Sequence, residues 1–417
     1  TNALEKQPLL PRQVSEPSPL LALDNKPSAH VIKPIITGGR PIPGRYPEAE
    51  PVQFAGRTFD AGIVNSSVLS DLDGDGTPEL ILACEWGPIR VYRNGKEITA
   101  QLGLEKFVGW WQGVTTGDLD GDGLLDIVAS NWGLNSSYGR ERIALHYGDF
   151  DGNGTMDLFE TYWDPQPGRM VQRRDLPYLS AGLPSLRLKF PTHLAYSQTP
   201  AESILKEWPN AKKLEANTLA SMAFLNRGGK FEAVPLPDQA QWAPAFGVCV
   251  ADFDGDGNED IFLSQNFFET RPEEPRLDAG RGLLLHGIGG GTFRPMSGDE
   301  SGIKIYGEQR ACAFADYDGD GRTDLLVGQS RGATQLFHNE SGREGLRIRL
   351  AGPAEGAVIR LRAGEQFGPA RAIQHGDSPV QVMTMRQTPT HVWVRWPGGK
   401  TSLSEIPAGA KEIEMKP

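Results

Sequence analysis

The chain has 417 residues and a formal net charge of −11, from 42 Lys and Arg against 53 Asp and Glu. An acidic chain is a poor candidate for a nucleic-acid binder, which needs a basic surface to neutralise phosphates. Its 50 Gly and 32 Pro exceed ordinary usage and exclude a mostly long-helical fold, while 38% hydrophobic residues supply a core.

Residues 1–51 hold ten prolines and little periodicity, and read as an extended arm or linker. The start at Thr1 is expected of a processed or trimmed form. An acidic nonapeptide then recurs at Asp71–Glu79, Asp118–Asp126, Asp149–Asp157, Asp252–Asp260 and Asp316–Asp324, always as D-x-D-G-[DN]-G-x-x-[DE]. Positions 1, 3, 5 and 9 carry oxygen donors that converge if the chain turns sharply, and the glycines at positions 4 and 6 permit that turn. The donors are Asp71, Asp73, Asp75 and Glu79; Asp118, Asp120, Asp122 and Asp126; Asp149, Asp151, Asn153 and Asp157; Asp252, Asp254, Asp256 and Asp260; and Asp316, Asp318, Asp320 and Asp324. The carbonyl at position 7 (Thr77, Leu124, Thr155, Asn258, Arg322) adds another oxygen. An all-oxygen shell of six to eight ligands suits Ca²⁺, and Mg²⁺ would want a smaller octahedron with several waters. About five Ca²⁺ sites are therefore expected.

An EF-hand needs Glu at position 12 between two helices. Here position 12 is Leu82, Ala129, Glu160, Leu263 and Val327, and the flanks are short apolar runs such as Leu80-Ile81-Leu82 and Ile261-Phe262-Leu263. The repeating unit reads as strand, calcium loop, strand. The loops hold 20 of the 53 acidic residues, so bound cations would relieve much of the charge. Affinities of roughly 10⁻⁴–10⁻³ M for extracellular sites of this ligand type fit an extracytoplasmic setting: secreted, periplasmic or cell-surface.

The repeat resembles the FG-GAP, or VCBS, repeat of integrin-like β-propellers. That resemblance implies an all-β fold: a calcium-binding β-propeller over 52–340, each repeat supplying one blade with its loop between the first two strands. Five blades would bear metal, and up to seven would exist in total. Residues 165–218 look like an insertion, with a capping box at Thr199-Pro200-Ala201-Glu202 and a short helix over Ser203–Trp208.

Residues 341–417 have no acidic loop, and alternating runs such as Leu346-Arg347-Ile348-Arg349-Leu350 predict a small β domain. With Gly356–Arg360 and Val394–Gly399, this stretch resembles the ASPIC/UnbV domain that follows FG-GAP repeats in bacterial relatives of cartilage acidic protein. The usual Phe-Gly-Leu-Gly stretch is replaced by Met383-Thr384-Met385-Arg386. Cys84, Cys249 and Cys312 form no CxxC or Cys/His cluster and read as small core residues.

If the acidic loops share one face, the exits of the second strands and the approaches to the first lie on the opposite face. Those positions are rich in aromatic, amide and charged side chains: Glu85, Trp86, Trp110, Trp111, Trp132, Asn135, Trp163, Trp242, Asn266, Phe267, Arg310 and Arg331. Indoles stack on sugar rings while amides and guanidinium groups fix hydroxyls or carboxylates. The expected function is recognition of a glycan or an extracellular or cell-surface protein there. Packing wedges between blades are the competing reading of these tryptophans. A structural subunit of a larger assembly and a propeller-type polysaccharide lyase are the alternative functions. For the lyase, His146, Tyr147, Arg140, Arg310 and Arg331 form no recognisable constellation, and no hydrolase, phosphate-loop or dinucleotide motif is present.

Overall fold

The structure is a computed structural model describing residues 52–54, 57–59, 61–139, 142–272 and 274–417. The arm expected over 1–51 lies outside the described residues, as does Arg140. The fold is all-β, with a few short helices.

Four antiparallel sheets follow one another. Sheet I contains Ile63–Ser70, Glu79–Gly87, Arg90–Arg93 and Lys96–Glu97, with Gly109–Trp110 paired at the far end of Glu79–Gly87. Sheet II contains Gly113–Gly117, Asp126–Ser130, Met222–Asn226 and Phe231–Pro235. Sheet III runs through Ala245–Ala251, Asp260–Gln265, Leu283–Gly289 and Thr292–Pro295, and sheet IV through Glu308–Ala315, Asp324–Ser330 and Gln335–Phe337. In each sheet an acidic loop joins the first two strands, and the first strands pack in the order I, II, III, IV.

Face-to-face packing explains the sequence of the second strands. Asp126–Ser130 and Asp260–Gln265 are buried throughout, because a sheet lies on either side, so they read as continuous apolar runs rather than alternating ones. Sheet IV differs. Phe314, Leu325 and Phe337 pack toward sheet III, whereas Ala313, Leu326 and Leu336 form one exposed cross-strand row on the other face.

The third acidic loop departs from the expected plan of one repeat per blade. It belongs to a separate sheet of Ile143–Gly148, Asp157–Asp164, Arg169–Gln172 and Lys212–Ala216, nested between the second and third strands of sheet II. The excursion therefore begins near 131, and the expected insertion over 165–218 is only its second half. It has its own core, in which Phe159, Leu179, Phe190, Tyr196 and Trp208 pack together. Four helices cover that core: Leu176–Gly182, Ser185–Lys189, His193–Gln198 and Ala201–Leu205. The last replaces the expected helix at 203–208, and the capping box does not form. Thr199 Oγ1 instead donates to Ala195 O of the preceding helix.

Residues 346–415 form two further sheets. One joins Val380–Met383, Leu346–Leu350 and, in parallel, Glu412–Met415; the other is built on Val358–Ala363, His391–Arg395 and Thr401–Glu405. In Leu346–Leu350 the aliphatic residues are buried against Ile359, Val392, Val394 and Trp396, which leaves Arg347 and Arg349 on the other side. Cys84 and Cys249 are buried, Cys312 is half-buried, and all three are free thiols. No helix among the described residues is long and apolar enough to cross a membrane.

Candidate functional site

The acidic loops share one internal scheme. In the first, Gly74 N and Gly76 N donate to the two oxygens of Asp71, Asp75 N donates to Asp73, Thr77 N to Asp75, and Leu72 N to Glu79. Equivalent bonds hold the other loops, for example Gly257 N to Asp252 and Phe253 N to Asp260. Backbone N–H groups thus aim the carboxylates at one another. In each of the five loops at least one acidic trio, twice completed by a histidine, brings its ligand atoms within 4.8 Å of one another.

Burial makes this costly: it raises Asp118 to about 6, Asp126 to about 7 and Asp260 to about 8. Asp118 Oδ1 is buried with no hydrogen-bond partner. A clustered oxygen set with an orphaned carboxylate oxygen fits a hard divalent cation.

A basic residue also reaches each loop of the four serial sheets, a feature the repeat motif does not contain. Arg93 pairs with Asp73 and Glu79 at 2.6 Å each, and Arg227 pairs with Asp120. His286 Nδ1 lies 3.0 Å from Asp254, and His338 Nδ1 lies 3.2 Å from Asp318.

The C-terminal sheets cover this loop end. Each serial loop offers the carboxylate of its first Asp to one donor from them. Arg395 reaches Asp71 at 2.8 Å, Ala370 N reaches Asp118 at 2.8 Å, Thr384 Oγ1 reaches Asp252, and Arg347 reaches Asp316 at 2.8 Å. Contact at Gly76 is so close that a Cβ there would lie 2.4 Å from Gly399 N, and φ is +87°. Arg371 and Glu259 form a buried ion pair beside Asp260 at 2.7 Å. The nested loop is different: Asp149 and residues 151–156 are exposed.

The opposite end gathers a group of aromatic residues. Trp110 sits edge-on to Trp86 (5.0 Å between centroids), Trp132 (5.5 Å) and Tyr138 (4.6 Å), and Trp132 meets Phe267 at 5.0 Å. Arg310 lies over Phe246 at 3.8 Å. Beside them opens a cavity of about 200 Å³, lined by Trp132, Tyr138, Arg174, Phe267, Arg271, Glu274 and neighbouring residues. Arg174 pairs there with Glu160 and, at 3.0 Å, with Glu274, while Arg331 pairs with Glu269 at 2.6 Å.

Three predicted surface residues, Trp110, Trp111 and Asn266, are buried packing residues, Trp110 as the centre of the aromatic group. Trp111 is fully buried among Ile127 and Phe224 and donates to Phe107 O. Buried Asn266 staples Gly280 and Gly307 through its amide. Trp163 stands apart from the aromatic group under Arg142, and its neighbour Tyr162 joins the group instead. Glu85 is half-buried, accepts from Asn65 at 3.4 Å, and is pushed above the usual carboxylate range by burial. Asn135 donates to Trp242 O, and Trp242 is exposed. Tyr138, Arg174 and Arg271 line the cavity without any local sequence signal, because the nested sheet and a long loop of sheet III bring them there. His146 lies against Phe159 in the nested sheet, away from Arg310.

Residues 71–129 match the FG-GAP-like repeat family. That segment contains the first two acidic loops. No curated protein sequence matches the chain. Among solved structures, the chain is similar to the V. cholerae biofilm matrix protein Bap1 (TM-score 0.26, 12% identity) over 66% of this chain and 63% of that one. The chain thus spans less than two thirds of the length of that protein. It is also similar to the exotype rhamnogalacturonan lyase YesX (TM-score 0.23, 13% identity, 84% of this chain and 73% of that one). A third such structure is the rhamnogalacturonan lyase YesW (TM-score 0.23, 12% identity, 84% and 72%).

Proposed function

We propose that this protein is a Ca²⁺-stabilised, extracytoplasmic recognition module that binds a glycan or an extracellular protein on the face opposite its acidic loops. The serial sheets are read as propeller blades, the five loops as calcium sites, and residues 341–417 as an ASPIC/UnbV-like domain. The calcium reading rests on the converging oxygen sets and on the orphaned oxygen of Asp118. Metal here would neutralise loop charge and hold strand pairs together.

One observation carries the binding reading. The loop end is covered by the C-terminal sheets, while the other end opens a cavity lined by Trp132, Tyr138, Phe267, Arg174 and Arg271, with Arg331 paired to Glu269 of its wall. Aromatic faces beside guanidinium and carboxylate groups suit sugar rings and their hydroxyls. A glycan array probed with the calcium-loaded full chain tests this. Binding to a defined set of glycans, lost in Trp132→Ala, is expected. Equal binding by that folded variant, or no binding to any glycan or extracellular protein offered, would sink it.

A further inference from the structure

The charged groups at the cavity, Arg174, Arg271 and Arg331 against Glu160, Glu269 and Glu274, are equal in number but unevenly paired. Arg174 is saturated: Glu160 and Glu274 pair with it, and its third nitrogen donates to Tyr138 Oη at 3.2 Å. Arg331 is paired with Glu269. Arg271 lines the same cavity with no carboxylate partner among the described residues, and its Nη2 is buried without a hydrogen bond. Its guanidinium carbon lies over the ring of Tyr178, 4.0 Å from the centroid. A guanidinium donor enclosed without a partner is costly, and a guanidinium that lines a cavity is the group that carboxylates pair with.

We infer that the cavity is a subsite for a carboxylate-bearing sugar, a uronic acid unit of a glycan, with Arg271 pairing its carboxylate. This rests on the glycan reading above and narrows it. The sugar's hydroxyls would donate to Glu269 and Glu274, which also line the cavity, and its ring would lie against Trp132 and Phe267. The two glutamates argue against a polyanionic peptide, whose several charges they would repel, and favour a ligand with one carboxylate and many hydroxyl donors. About 200 Å³ is room for one sugar ring rather than a folded segment.

The test is isothermal titration of the calcium-loaded full chain with oligogalacturonate, oligoalginate and hyaluronan oligosaccharides, each beside its carboxyl-reduced neutral form. Wild type is expected to bind at least one acidic series, and reduction of its carboxyls should weaken binding roughly ten- to a hundredfold. Arg271→Gln should show the same loss for the acidic form and none for the neutral form, with Arg271→Lys intermediate. A melting curve matching wild type shows that each variant is folded; if Arg271→Gln unfolds, the wild-type comparison of acidic with reduced sugars decides alone. Equal binding of acidic and reduced sugars, or unchanged acidic binding by folded Arg271→Gln, overturns the carboxylate subsite and leaves the glycan reading standing. Binding to no sugar of either kind overturns both, as does binding only to acidic peptides.

Discussion

Trp86, Asn266 and Arg331 adopt φ of 57°, 89° and 57°, left-handed values that side-chain-bearing residues rarely take. All three stand where a second strand ends at the aromatic end. Such strain persists where the surroundings enforce it, and it clusters at functional surfaces. At exposed Arg331, Gly accepts the conformation freely. Arg331→Gly should raise stability by about 0.5–1 kcal/mol in urea titrations. Glu85 supplies a second test at this scale. Burial raises its folded-state pKa above 4.5, so the native state holds the proton over a pH range where the unfolded chain has lost it. Stability therefore falls as pH rises from about 4.5 through the raised value. Glu85→Gln, compared with wild type by melting temperature against pH, should show a shallower fall over that window and a higher melting temperature above it.

At the scale of the element, the loops act as preset oxygen clusters whose shape comes from their own backbone hydrogen bonds. Chelation with EDTA should lower the melting temperature, since each site filled a hundredfold above its Kd adds about 2.7 kcal/mol. The loops are not equivalent. Asp118 is buried and takes a donor from Ala370, whereas Asp149 is exposed. Native mass spectrometry should find about five calcium ions in wild type, and both Asp118→Ala and Asp149→Ala should lose one. Asp118→Ala should also destabilise the calcium-loaded chain by about 3 kcal/mol, because it loses the site's ion and leaves Gly123 N and Ala370 N without their acceptor, with a smaller loss for the exposed Asp149→Ala. An unchanged ion count in either variant would remove that loop from the metal sites.

Considered as a whole molecule, the serial sheets are tied together at their loop end by residues 346–415. Four carboxylates, one per sheet, each accept a bond from that C-terminal unit, so docking and loop geometry depend on each other. Asp71 is buried, and Asp316 is covered by Arg347. Arg347→Ala with Arg395→Ala strands both carboxylates and should cost about 3–5 kcal/mol in metal-free buffer, less with calcium present. Limited proteolysis should then cut near residue 341 faster in the double variant than in wild type. Unchanged cleavage would mean that packing around Trp396 alone holds the unit in place.

The acidic loops and the strands beside them were legible in the sequence because they are local: the spacing of carboxylates, the glycines between them and the apolar flanks all lie within a dozen residues. The alternation in Leu346–Leu350 likewise announced a strand with one buried face. Tertiary structure alone decided the rest. Whether a tryptophan faces a cleft turns on one step of a period of two, which is why Tyr162 and not Trp163 joins the aromatic group. The nesting of the third loop inside sheet II depends on strand pairs such as Ala129 with Met222, far apart in the chain. The covering of the loops by arginines of the C-terminal unit, and the arrival of Arg271 beside Trp132, are likewise meetings of distant segments, fixed by packing rather than by local sequence.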